Sequence, residues 1–154
     1  MANVIGVHYL GMTGLMMSCN TKVAKMVLSE TIEGEKTGDP CLISYAITEP
    51  NAGTDVEEVD LEAKGRLGCH AQQVKGGYIL NGSKIFISMG HLSKWCIVYA
   101  YGDLKNGADT KVALLVKQGM KGFTLGSHEN KMGQRICPAS VLNFEDCFVP
   151  DEYV

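Results

Sequence analysis

Polar and apolar positions follow two rhythms, one up to about residue 38 and another after it. Residues 1–21 carry no Lys, Arg, Asp or Glu, and Val4, Ile5, Tyr9, Leu10, Leu15, Met16 and Met17 are interleaved with Gly6, Gly11 and Gly14. That run predicts a buried helix whose small residues admit close neighbours. Its glycines, Asn3 and His8 argue against a membrane span, and no basic residue precedes it as a secretory signal requires. Asn20-Thr21 suits the N-cap of a second helix over about Lys22 to Glu30, where Val23, Met26, Val27 and Thr31 fall near helical spacing. Ile32 to Pro40 is polar, with two glycines and a proline, and reads as a linker. The expected division is a helical tail over 1–38 and a β domain over 39–154.

Beyond Pro40 the apolar runs are short and glycine-punctuated. Tyr45 to Val56 begins as a strand with Ser44, Ala46 and Thr48 on one face and Tyr45, Ile47 and Glu49 on the other. Pro50 ends the ladder because it has no N–H to donate. Asn81-Gly82, between Tyr78-Ile79-Leu80 and Ser83-Lys84-Ile85-Phe86-Ile87, is a strong signal for a two-residue hairpin. On that reading Ile85 and Ile87 face inward, and Lys84, Phe86 and Ser88 share the other face. Further strands are expected at Trp95 to Ala100, Val112 to Val116, Phe123 to Leu125 and Val141 to Asp146. No βαβ pattern appears. The fold class is mainly β, two packed antiparallel sheets or a partly open β-barrel, with a short N-terminal helical segment.

Composition narrows the function classes. A chain of 154 residues, 45% hydrophobic and 20% charged, suits one globular domain. A net charge of −3 without a basic patch speaks against nucleic acid. Six cysteines form no C-x-x-C pair and no zinc spacing, which reads as free thiols in a reducing cytosol. The acidic run Glu57, Glu58, Asp60, Glu62 reads as a solvated face, and Gly65-Arg66-Leu67-Gly68 as an inserted loop without an assigned role.

Candidate chemistry sits in two stretches. After Glu49-Pro50, the residues Asn51-Ala52-Gly53-Thr54-Asp55 are small or turn-forming. Such a loop can point successive backbone N–H groups into an anion-binding concavity. An Asx turn leading into a helix N-cap reads equally from these residues. Phe86 beside Ser88 sets an aromatic ring next to a hydroxyl.

The run YAITEPNAGTDV resembles the A-I-T-E-x-x-A-G-T-D signature of the acyl-CoA dehydrogenase family, with Glu58 departing from the small residue usual at its position. YILNGSKIFISMG is similar to the family's second flavin-contacting segment, with Phe86 and Ser88 where Trp and Thr are commoner. Lys131-Met132-Gly133-Gln134-Arg135 resembles its Met-Gly-x-Arg loop, and Arg135 is read first as a structural ion-pair partner. The resemblance implies the family's middle β domain plus part of the preceding helical domain, a fragment of a longer subunit. It implies FAD as cofactor, held by Tyr45, Ile47, Thr48, Gly53, Thr54, Phe86, Ile87 and Ser88, with Thr54 also meeting acyl-CoA. The implied reaction is α,β-dehydrogenation of an acyl-CoA thioester. Its catalytic carboxylate lies in the family's C-terminal bundle, so the chain supplies no catalytic residue, no metal ligand, and is expected to be inactive alone. An electron-transfer flavoprotein is the implied acceptor. A homo-oligomer and a cytoplasmic location, or the mitochondrial matrix in a eukaryote, are implied for the full enzyme. Two alternatives remain from the residues: a same-fold flavin oxidase or monooxygenase fragment, and a non-catalytic β-domain scaffold.

Overall fold

The computed structural model describes residues 2–53, 68–103 and 109–154. Two helices, α1 (Ala2–Met17) and α2 (Thr21–Thr37), come first. Among the described residues seven strands follow: β1 (Ile43–Ala46), β2 (His70–Val74), β3 (Gly77–Ser88), β4 (Trp95–Asp103), β5 (Asp109–Lys117), β6 (Phe123–His128) and β7 (Ala139–Pro150). No helix of the described residues is long and apolar enough to cross a membrane.

The Asn20 side chain caps α2 by accepting from the Val23 N–H at 3.2 Å. The helix then continues to Thr37, through most of the expected linker, because Gly34 lies on its buried face and Gly38, at φ 75°, forms the stop. Burial of α1 is a second correction. Only Gly11 and Leu15 are buried, while Tyr9, Leu10, Met16 and Met17 are exposed. The helix is apolar all round, but the sheet covers one side of it.

The strands make a single curled sheet, an open half-barrel, in the order β1-β4-β2-β3-β7-β6, with β5 on β4. Most pairings are antiparallel. Two are parallel: β1 on Trp95–Val98 and β2 on Tyr101–Asp103, so two short strands share one edge of β4. The interior of the curl is filled by Leu80, Ile87, Val98, Leu114, Val116, Leu142 and Val149. Its outer side receives the helices through Leu15, Val23, Val27, Ile43, Trp95 and Leu115. Glu30 of α2 fastens that contact, accepting from the Trp95 indole N–H and from Lys117 Nζ, each at 2.8 Å.

The expected hairpin at Asn81-Gly82 does not form. Residues 77–88 are one continuous strand, and the chain reverses instead at Lys75-Gly76, where Gly76 has φ 83° and Val74 faces Gly77. Asn81 is used across the sheet. Its side chain accepts from the Asp146 N–H at 2.8 Å and donates to the Asp146 carboxylate at 3.2 Å. Gly82 is required by close approach, since a Cβ there would stand 2.7 Å from Cys69 Cα and from the Gly68 carbonyl oxygen.

Inward and outward positions on β3 are also redistributed. Lys84 to Ile87 spans three steps on β3 against two on β7, from Leu142 to Ser140, so β3 carries a bulge. The extra residue resets the alternation. Lys84 and Ile87 are both buried and Phe86 points out.

Candidate functional site

The site grows from the junction of β1 and the β3 bulge. The ladder of β1 ends at Ala46, earlier than Pro50, because β3 takes over the next two carbonyls. Lys84 Nζ donates to the Ile47 carbonyl at 2.8 Å, and the Ile85 N–H to the Thr48 carbonyl at 2.9 Å. Glu49 and Ala52 then bridge across a tight turn with Pro50 and Asn51 at its corners. Gly53 follows, and none of the described residues stands within 4 Å of where its Cβ would be.

Under this junction lies a buried ion pair. Lys84 Nζ is 2.8 Å from Glu49 Oε1, and the two side chains are 0% and 1% exposed. Glu49 also accepts from the backbone N–H groups of Gly68 and Cys69, at 2.5 and 3.2 Å. A carboxylate with three donors and no exposure is poorly placed to act as a base toward a ligand. Burial pushes the adjacent Cys69 thiol up to about 12, Lys84 opposing, so it stays protonated and is no nucleophile. Among the described residues no cluster of metal-ligating side chains occurs.

Phe86 occupies the bulge at φ 58°, and Met89 follows at φ 60°. An aromatic residue in the left-handed region is strained by about 1–3 kcal/mol, and such strain concentrates at functional sites. The ring is 57% exposed, although a phenyl group gains most from burial. Ser88 is half-buried and lines a groove with Ala2, Asn3, Gly6, Val7 and Leu10 of α1 and with Lys131, Gln134 and Cys137. Arg135 donates through Nε to the Lys131 carbonyl at 2.7 Å and pairs with no carboxylate among the described residues. The ion-pair role expected for it is replaced by a loop-closing one.

The expected site residues are therefore distributed as follows. Thr48 is joined to the 85–88 segment by the hydrogen bond from the Ile85 N–H, Ile47 is joined to the neighbouring Lys84, and Gly53 lies one turn beyond. Tyr45 turns its ring toward α1, packing on Tyr99 with ring centroids 5.2 Å apart and near Gly14. Ile87 faces the interior of the curl. Ser88 opens onto the groove with α1. Thr54, Asp55, the acidic run 57–62 and residues 65–67 of the inserted loop lie outside the described residues. The Glu49–Lys84 pair was not anticipated as a unit. A lysine on a strand between Ser83 and Ile85, at the inward phase set by Tyr78 and Leu80, was the available signal.

Residues 44–147 match the model of the acyl-CoA dehydrogenase middle domain. Isovaleryl-CoA dehydrogenase, mitochondrial, of Arabidopsis thaliana is 37% identical over 127 residues, 82% of this chain and 28% of that protein. The butyryl-CoA dehydrogenase structure from Megasphaera elsdenii superposes with a TM-score of 0.62 at 36% identity, over 73% of this chain and 28% of the other. The FAD complex of PigA superposes at 0.63 with 32% identity, over 81% and 30%. The chain belongs to the acyl-CoA dehydrogenase family, by its middle domain. It spans between a quarter and a third of the length of these relatives.

Proposed function

We propose that this chain supplies the flavin-facing part of an FAD-dependent acyl-CoA dehydrogenase, with residues 1–38 belonging to its helical portion and 39–154 to its β domain. The observation that carries the reading is Phe86, an exposed aromatic ring held in a strained bulge between the junction with β1 and Ser88. The residues fit the cofactor. A planar ring system gains from an apolar face at Phe86, a hydroxyl at Ser88 can donate to its polar edge, and the open backbone at Gly53, leading to Thr54, suits a pyrophosphate.

Bound FAD would supply a two-electron acceptor for the hydride that leaves the acyl β carbon. The chain's own part is to bind and orient. Thr48 and Gly53 fix the approach on one side, and Phe86 and Ser88 fix the ring on the other, with Ile87 anchoring the segment in the core. Among the described residues no carboxylate lines the groove at Ser88, and the α-proton acceptor is proposed to come from elsewhere in the enzyme. An electron-transfer flavoprotein is the proposed onward acceptor, acyl-CoA the proposed substrate class, and Thr54 the proposed contact shared with it.

Titration of the purified protein with FAD, followed by amide chemical shifts, tests the reading. Shifts should concentrate at Thr48, Gly53, Thr54, Phe86 and Ser88. Shifts confined to other strands, or none at excess FAD, would exclude it.

A further inference from the structure

We propose that the buried Glu49–Lys84 ion pair is the positioning element of the flavin site, selecting which residue of β3 occupies the strained bulge. The proposal rests on the flavin reading above. Four backbone segments meet at this pair: Ile47 through its carbonyl, Glu49 at the entry to the Pro50-Asn51 turn, Gly68-Cys69 through two N–H groups, and β3 at Lys84. Lys84 is followed directly by Ile85, whose N–H holds the Thr48 carbonyl, and then by Phe86 at φ 58°.

Stability alone does not account for the pair. Removing two charges from water costs several kcal/mol per ion, and well-packed apolar residues of similar volume are often as stable or more so. A bulge in an antiparallel pair, however, has near-equivalent positions one residue apart, and a slip turns every following side chain to the opposite face. Here a slip would exchange the buried Ile87 for Phe86 or Ser88. An apolar contact at residue 84 would tolerate that slip. The Lys84 ammonium would not, because its partners are two oxygens at fixed sites, and displacement would leave both charges buried and unpaired. The pair thus acts on the ring-facing residues through Ile85, without itself being exposed to a ligand.

The decisive variant is Glu49→Leu/Lys84→Met, which removes both charges and retains volume. Three readouts are taken on the purified protein: thermal unfolding, amide exchange at Ile85, and FAD-induced chemical shifts at Phe86 and Ser88. The expected result is an unfolding midpoint close to that of the parent, with Ile85 exchanging at least about tenfold faster. The FAD-induced shifts at Phe86 and Ser88 should be lost, and Lys84→Arg should restore them in part. Glu49→Gln/Lys84→Met, which keeps an acceptor for the Cys69 N–H, repeats the comparison if the first variant folds poorly. Unchanged Ile85 exchange together with parental FAD shifts in either folded variant overturns the proposal, as does failure of both to fold, which makes the pair structural. If the parent itself shows no FAD shifts, the flavin reading falls, and the clamp is decided by Ile85 exchange alone.

Discussion

At the scale of single residues, Phe86 sets the strain of its backbone against the binding role proposed for it. Its left-handed backbone suits Asn far better than a ring. Phe86→Asn should therefore leave thermal stability unchanged or raise it by up to about 1 kcal/mol, because the ring is mostly exposed and the strain is relieved. The same variant should bind FAD more weakly by about 0.5–1.5 kcal/mol, the worth of an aromatic stacking contact. Thermal melts and FAD titration of the two proteins check both halves, and a loss of stability above that range would show the ring to be structural. The sequence around Phe86 suggested a role for its ring but not its conformation. Nothing local marks a bulge whose position is set by Lys84 reaching Glu49, thirty-five residues away.

At the scale of elements, local signals succeeded where the local chain decides and failed where a distant strand does. Asn20 caps α2 as its type and position suggest. Asn81-Gly82 has the composition of a turn, but Cys69 and Asp146 claim it from two sides, and the reversal moves to Lys75-Gly76. The close approach of α1 at Gly11 and Gly14 was legible from its small residues, but its one-sided burial was not, since its apolar residues surround the helix. A polar contact ties it to the sheet: His8 Nδ1 accepts from the Ile43 N–H at 3.3 Å. Only a neutral imidazole can accept there. Burial holds the His8 imidazole below the ordinary histidine range, opposed by Glu35. The unfolded chain therefore takes up the proton first on acidification. The contribution is fully present above about pH 6.5 and is lost as pH falls below that value toward the folded pKa. Exchange of the Ile43 amide should accelerate over that interval, and His8→Gln should flatten the dependence. Exchange indifferent to pH, after correction for intrinsic rates, would show that the bond holds nothing.

At the scale of the whole molecule, fold class was legible because short glycine-bounded strands without βαβ units leave few architectures. The two parallel pairings on β4 were not, because they join strands with long intervening stretches and no shared local pattern. The activity prediction belongs here too. The purified chain, mixed with FAD, an acyl-CoA series and an artificial electron acceptor, should give no turnover, since an aligned base is worth about 10² to 10⁴ in rate and, among the described residues, none lines the groove at Ser88. Turnover comparable to an intact acyl-CoA dehydrogenase would place the base within this chain. The order of the sheet has a last consequence, for synthesis. Strand β7 stands between β3 and β6, so a nascent chain released before Ala139 leaves β3 with an open edge and β6 with no partner among the described residues. Unpaired edges of that kind template aggregation. Premature termination within Ala139–Pro150 should therefore yield insoluble product.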